Sequence, residues 1–129
     1  MVDILVTEGR VLQRDLVLRN VFEREKAMGT GMENGIALPH AKTDGVDDLE
    51  IAIGIKKEGI DFGAMDGKKS RLFILIISPQ KDSGPHIQFL ACISSILIDP
   101  QTREALINID TPEKAVELLR EEAKFKSVQ

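Results

Sequence analysis

The chain is 129 residues long, which is the size of one domain, and 43% of its residues are hydrophobic, enough to build a single core. Its formal net charge of −4 excludes the broad basic field with which proteins hold nucleic acid. No apolar run is long enough to span a bilayer and no signal peptide is predicted, so we expect a cytoplasmic protein with no membrane insertion.

The first third of the chain predicts one long helix, a loop and a short strand. Residues 2–7 are apolar and compatible with a helix or a strand. Asp15 can cap a helix that runs to about residue 28, where a glycine supplies the stop. Three glycines then punctuate a loop at 29–35. Residues 36–38 follow as a short strand, which ends at a proline.

The remaining elements predict a sheet that is covered by helices. Residues 49–56 alternate in polarity, as a half-buried strand does. Residues 72–77 are apolar on both faces, which is typical of a central strand. Helices are expected from Pro85, around 103–107 and after Thr111. A helix, three strands and further helices predict an α/β fold, a three-layer α/β/α sandwich, and we interpret residues 1–129 as a single domain.

Two histidines, each preceded by a proline, are the best candidates for chemistry. His40 follows the short strand and its glycine loop, and a neutral imidazole is a competent phosphoryl acceptor near pH 7. His86 falls in the first turn of a helix, where free backbone N–H groups favour an anion. One ring that attacks and one that donates a hydrogen bond would suit phosphoryl transfer.

Each of these residues also has a plainer interpretation. His40 would more often be a surface or satisfied polar residue, and Arg24 a solvated helix charge. The glycines could merely shape a turn. Cys92 is the only cysteine, so an internal disulfide is impossible, and its apolar helix predicts that it is buried.

At this point the sequence resembles a known family. Three blocks match the signature of fructose–mannitol-type enzyme IIA domains of the bacterial phosphoenolpyruvate-dependent sugar phosphotransferase system. The blocks are Arg24-Glu25-Lys26, Thr30-Gly31 and Asn34-Gly35-Ile36-Ala37-Leu38-Pro39-His40-Ala41. Residues 58–67 and 86–91 agree in order and spacing as well, so the resemblance extends from about Val2 to the last helix.

The resemblance implies a role for three residues. His40 matches the phosphorylated histidine, His86 the second active-site histidine, and Arg24 an arginine beside the phosphohistidine, whose guanidinium fits phosphate oxygens. It also implies a mixed sheet between helices, HPr as phosphoryl donor and a IIB cysteine as acceptor. No metal or nucleotide cofactor is implied. We further expect the loop at 29–35 to let backbone approach the phosphoryl group.

Two departures from the family pattern carry expectations of their own. Glu33 places a negative charge near a site for an anion; it either slows transfer or points outward. The first strand of the family and about half of its first helix have no counterpart here, so either the chain is truncated or a partner covers that edge. We therefore expect residues 2–7 to be helical and the protein to self-associate as a homo-oligomer.

Three functions follow in order of preference. The first is a phosphoryl carrier for sugar transport. The second is a regulatory, nitrogen-type IIA protein that signals through its phosphorylation state. The third is a non-catalytic interaction module; we rank it last because His40, His86 and Arg24 are all present.

Overall fold

The structure is a computed structural model that describes residues 1–11, 13–27, 31–81 and 84–127, except the side chains of residues 27 and 125–127. The chain divides into two compact units, Met1–His86 and Ile87–Gln129. The described residues form the following helices and strands: α1 Val2–Thr7, α2 Arg14–Ala27, β1 Ile36–Ala37, β2 His40–Thr43, β3 Glu50–Ile60, β4 Ser70–Pro79, α3 Gly84–Leu97, α4 Pro100–Ile107 and α5 Pro112–Ser127.

Strand β4 is the centre of a mixed sheet. β3 pairs antiparallel along one side of it, with Ile51 opposite Ile76. β1 and β2 both pair parallel with β4, so they must share its other side, one after the other. The combination of helices with this largely parallel open sheet confirms the predicted α/β class.

The central position of β4 follows from its sequence. Every residue from Leu72 to Ser78 is buried, as expected where neither face of a strand meets water. The predicted strand is present as β3, but its buried side differs from the predicted one: Ala52 belongs to the core cluster of the first unit, whereas Ile51 and Ile53 are half-buried.

Helices α1 and α2 cover one face of the sheet within the first unit. The helical prediction for residues 2–7 is confirmed by α1. Burial of apolar surface from both helices, the following loops and the sheet stabilises this arrangement. The cluster contains Val2, Leu5, Val11, Val17, Val46, Ala52, Leu75 and Ile77.

The helices of the second unit begin at capping residues. The Asp99 carboxylate accepts the backbone N–H of Gln101 at 2.9 Å at the start of α4. Thr111 Oγ1 accepts the N–H of Lys114 at 3.2 Å at the start of α5, as predicted.

In α3 the buried apolar positions are Ile93, Ile96 and Leu97. Cys92 lies beside this stripe and is exposed, so the prediction that it is buried was wrong.

Several predicted boundaries also change. Helix α2 begins at Arg14, which places Asp15 inside its first turn, and the predicted end at residues 28–29 lies outside the described residues. β3 continues to Ile60, four residues beyond the predicted end of this strand at residue 56. A fourth strand, β2, begins directly after Pro39, because the proline interrupts the pairing with β4 only locally. None of the described helices has the length and apolar character needed to cross a membrane.

Candidate functional site

The two histidines and Arg24 line one cavity at the carboxyl end of β4. His40 is the first residue of β2 and lies opposite Ile76. His86 is in the first turn of α3, and Arg24 is near the end of α2. The cavity has a volume of about 530 Å³ and is lined by Asn20, Glu23, Arg24, His40, Ala41, Lys42 and His86. The structure thus brings together the three residues that the resemblance singled out; their catalytic roles stay predictions.

The ring of His40 is held in one tautomer by the backbone. Its Nδ1 lies 2.7 Å from the carbonyl oxygen of Leu38. A carbonyl can only accept, so Nδ1 carries the hydrogen and the lone pair of the neutral ring is on Nε2. The Pro39 carbonyl accepts the N–H of Ile76 at 3.0 Å, which anchors the strand break beside the ring. In this tautomer Nε2 is the ring nitrogen of His40 that is free to accept a bond.

The ring of His86 is buried and hydrogen-bonded from within the fold. Its Nδ1 lies 3.0 Å from the Oγ of Ser78, a fully buried residue near the end of β4. Burial lowers the pKa of His86, and positive charge on His40 and Lys42 lowers this pKa further. His86 is accordingly neutral at pH 7. The two histidine rings meet edge to face, with centroids 6.1 Å apart and planes at 81°.

Lys42 is a cavity residue that sequence reasoning missed. It follows His40 by two positions in β2, and side chains at this spacing leave a strand on the same side. Its ammonium adds a second cation beside Arg24, with Glu23 as the acidic residue of the cavity. This i, i+2 spacing could not identify Lys42 as a site residue from the sequence, because no strand was predicted after Pro39. Asn20 lies one helical turn before Arg24, and that spacing could have identified it.

The described glycines of the loop at 29–35 do not line the cavity. A Cβ on Gly31 would lie 2.7 Å from the carbonyl oxygen of Phe62, so this glycine allows a close contact with the segment after β3. The Gly35 carbonyl accepts the N–H of Leu72, at the amino end of β4. His40 pairs with Ile76, four residues or roughly 13 Å further along that strand. Gly31 and Gly35 are not among the cavity residues, and Gly29 lies outside the described residues, so the expected approach to a phosphoryl group stays a prediction.

The carboxylate of Asp66 connects the glycine loop to a neighbouring turn. The Asp66 carboxylate accepts the backbone N–H of Asn34 at 3.1 Å and that of Lys68 at 3.0 Å. These hydrogen bonds lower the pKa of Asp66. Asn34 has a positive φ of 64°, which a turn of this kind requires. Glu33 is exposed and is not among the cavity residues, in agreement with the outward orientation.

Comparison with known proteins identifies relatives over most of the chain. The family model described as phosphoenolpyruvate-dependent sugar phosphotransferase system, EIIA 2, matches residues 1–122. The fructose-specific EIIA component of Haloferax volcanii is 37% identical, over 94% of this chain and 79% of the relative. The fructose-specific EIIABC component of Bacillus subtilis is 28% identical over 96% of this chain, which spans only 20% of that protein. A nitrogen regulatory protein of Pseudomonas aeruginosa is 28% identical, over 80% of this chain and 67% of the relative.

Solved structures share the fold. Nitrogen regulatory protein IIA-Ntr from Neisseria meningitidis has a TM-score of 0.79 and 28% identity, covering 86% of this chain and 76% of its own. IIA mannitol from Escherichia coli has a TM-score of 0.76 and 26% identity, covering 92% and 82%. Enzyme IIA-mannitol in its complex with phosphorylated enzyme IIB-mannitol, also from Escherichia coli, has a TM-score of 0.77 and 24% identity, covering 92% and 81%.

Proposed function

The chain belongs to the EIIA 2 family of the phosphoenolpyruvate-dependent sugar phosphotransferase system, and from this membership we propose that it carries a phosphoryl group on Nε2 of His40. The observation that supports this most directly is the bond from His40 Nδ1 to the Leu38 carbonyl. It leaves the Nε2 lone pair available in a cavity that His86 and Arg24 also line.

The proposed step is a direct transfer between histidines. The Nε2 lone pair of His40 attacks the phosphorus of phosphorylated HPr, forming a new N–P bond. The N–P bond of the donor breaks, and its electron pair returns to the donor ring. The Arg24 guanidinium can bind the phosphoryl oxygens, Lys42 adds positive charge, and His86 donates a hydrogen bond.

HPr is the proposed donor and a cysteine of a IIB domain the proposed acceptor, so that the phosphoryl group serves sugar uptake. The Escherichia coli complex of enzyme IIA-mannitol with phosphorylated enzyme IIB-mannitol supports the second partner by analogy, since that IIA shares this fold. The reaction would take place in the cytoplasm and requires no metal or nucleotide on this chain, because the donor is itself a phosphohistidine.

Incubation with phosphoenolpyruvate, enzyme I and HPr, followed by intact-mass measurement, tests the proposal. The parent should gain one phosphoryl group, and His40→Ala should gain none. His86→Ala and Arg24→Gln should still label His40, but more slowly by about 10² to 10³, the usual cost of removing one preorganised donor. Equal labelling of the parent and His40→Ala would refute the proposal.

The nitrogen-type regulatory function is the second candidate, because nitrogen regulatory proteins are among the relatives and structural neighbours. Both candidates predict label on His40. Addition of a purified IIB domain separates them: a transport carrier transfers its label to the IIB cysteine, whereas a regulator keeps the label. A parent protein that accepts no label would instead favour the non-catalytic interaction module.

A further inference from the structure

We propose that Ser78 is a positioning residue that fixes the tautomer of His86, so that Nε2–H of this ring is the hydrogen-bond donor to the phosphoryl group. The proposal deepens the phosphoryl-carrier function and rests on it. Ser78 was not singled out in the sequence, and it does not line the cavity. It acts only through the ring of His86.

Strand register places Ser78 beneath the site. Ser78 pairs with Lys42 across β4 and β2, and Ile76 pairs with His40. Paired residues of neighbouring strands share a face, so Ser78 lies on the same face of the sheet as His40 and Lys42. Its Oγ is 3.0 Å from His86 Nδ1, and the serine is fully buried. The contact is therefore a hydrogen bond shielded from water.

The bond can form in either of two ways. If the Ser78 hydroxyl donates, Nδ1 accepts and the hydrogen of the neutral ring is on Nε2. If Nδ1–H donates to Ser78 Oγ, Nε2 carries a lone pair. A lone pair directed at phosphoryl oxygens is repulsive, whereas an N–H stabilises them. Only the first arrangement lets His86 support transfer.

The choice of tautomer matters because His86 is neutral. A protonated ring would donate from both nitrogens, and Ser78 would then be irrelevant to the direction of the bond. Burial and the nearby charges of His40 and Lys42 disfavour that protonated form. The two histidines consequently hold opposite tautomers, Nδ1–H in His40 and Nε2–H in His86.

Long-range ¹H–¹⁵N correlation spectra of histidine-labelled protein test the proposal directly, and with two histidines the spectrum is simple to assign. The parent should show Nε2–H for His86 and Nδ1–H for His40. Ser78→Ala should convert His86 to a mixture of tautomers and slow phosphorylation from HPr about tenfold, less than deletion of the donor ring itself. Ser78→Thr, which restores a hydroxyl, should recover both the tautomer and the rate.

Ser70→Ala is the matched control. Ser70 is the other fully buried serine of β4, and among the described residues its hydroxyl has no hydrogen-bond partner. Its replacement should leave the His86 tautomer and the transfer rate unchanged. A thermal melt of each variant shows whether a slower transfer reflects a less stable protein or a change in the His86 ring alone.

Two results would overturn the proposal: Nδ1–H on His86 in the parent, or an unchanged His86 tautomer in Ser78→Ala. The parent spectrum decides the first point even if Ser78→Ala does not fold. The spectra require no phosphoryl transfer, so a parent with the expected tautomers that accepts no label would refute the proposed function and leave the Ser78–His86 pairing intact.

Discussion

At the scale of single residues, the two histidines of the site differ in the group that lies next to Nδ1. A backbone carbonyl faces Nδ1 of His40, and a serine hydroxyl faces Nδ1 of His86. The first partner can only accept, while the second can also donate. His40 is half-buried and His86 is buried, so the ring that we propose as the attacking group is the more accessible of the two.

Burial of His86 predicts a pH dependence of stability. Its pKa in the folded protein is lower than the value of about 6.5 expected in the unfolded chain. As the pH falls below 6.5, the unfolded state therefore binds the proton first, and the free energy of unfolding decreases until the pH reaches the lower folded pKa. The loss is at most about 1.4 kcal/mol for each pH unit.

Urea unfolding of the parent and of His86→Gln at pH 7.5 and 5.5 measures this contribution. The parent should lose more stability than the variant over this interval, since every other group is common to both proteins. Equal losses would show that the pKa of His86 is not lowered in the folded state.

At the scale of elements, His40 lies directly after the break between β1 and β2. Pro39 interrupts the edge of the sheet, yet its carbonyl still accepts the N–H of Ile76. The Leu38 carbonyl is thereby left to bind the His40 ring. Successive carbonyls of an extended chain point to opposite sides, so the Pro39 carbonyl faces β4 while the Leu38 carbonyl points away from it and can orient the ring of His40.

The loop before β1 has a structural role that a substitution can test. In Gly31→Ala the new Cβ would lie 2.7 Å from the Phe62 carbonyl oxygen and 3.0 Å from the backbone of Ala64. Backbone atoms cannot move aside cheaply, so we expect a loss of about 1–3 kcal/mol in the free energy of unfolding. Denaturant unfolding measures it.

Gly54→Ala is the control for this prediction. The three atoms nearest to its Cβ would all belong to the side chain of Met1, the nearest at 3.4 Å, and that side chain can shift. The stability of this variant should be close to that of the parent. Folded Gly31→Ala should still accept phosphoryl on His40; loss of labelling with stability intact would show that the loop acts at the site after all.

At the scale of the whole molecule, the structure describes two compact units, and the site residues all belong to the first. Within that unit, β4 is enclosed by pairing on both sides, whereas β2 pairs with β4 alone among the described strands. The prediction that residues 1–129 form a single domain stays a prediction. Coincident unfolding transitions of probes placed in each unit would support it.

Self-association also remains a prediction. We predict that exposed apolar side chains of α1 and α2 form the contact between copies. Ile4 on α1 is 60% exposed and Phe22 on α2 is 62% exposed. Burial of both against a second copy would favour a dimer. Sedimentation velocity across a concentration series should show association of the parent, and Ile4→Lys with Phe22→Glu should weaken it.

Met65→Lys is the control for the association experiment, because Met65 is 76% exposed and lies on neither helix. It should associate as the parent does. A parent that stays monomeric at the highest concentration would contradict the prediction, and equal weakening by Met65→Lys would show that the contact is not located on α1 and α2.

Local sequence was sufficient for those features that depend on neighbouring residues. The polarity pattern identified β4, since a strand buried on both faces must be apolar throughout. The block that ends at Pro39-His40 identified the candidate nucleophile, and its resemblance to a family also placed Arg24 and His86 near it. A motif can identify candidate site residues because members of a family that perform the same chemistry have the same residue types at the same spacing.

Only the tertiary structure decided how those residues are held. The contact of Ser78 with His86 depends on where β4 ends and α3 begins, and the place of Lys42 in the cavity depends on a strand formed after a proline. The glycine at position 31 is required by the backbone of Phe62, thirty-one residues later in the chain. All three depend on contacts between different elements, β4 with α3, β2 with β4 and the loop before β1 with the segment after β3, and local propensity does not determine such contacts.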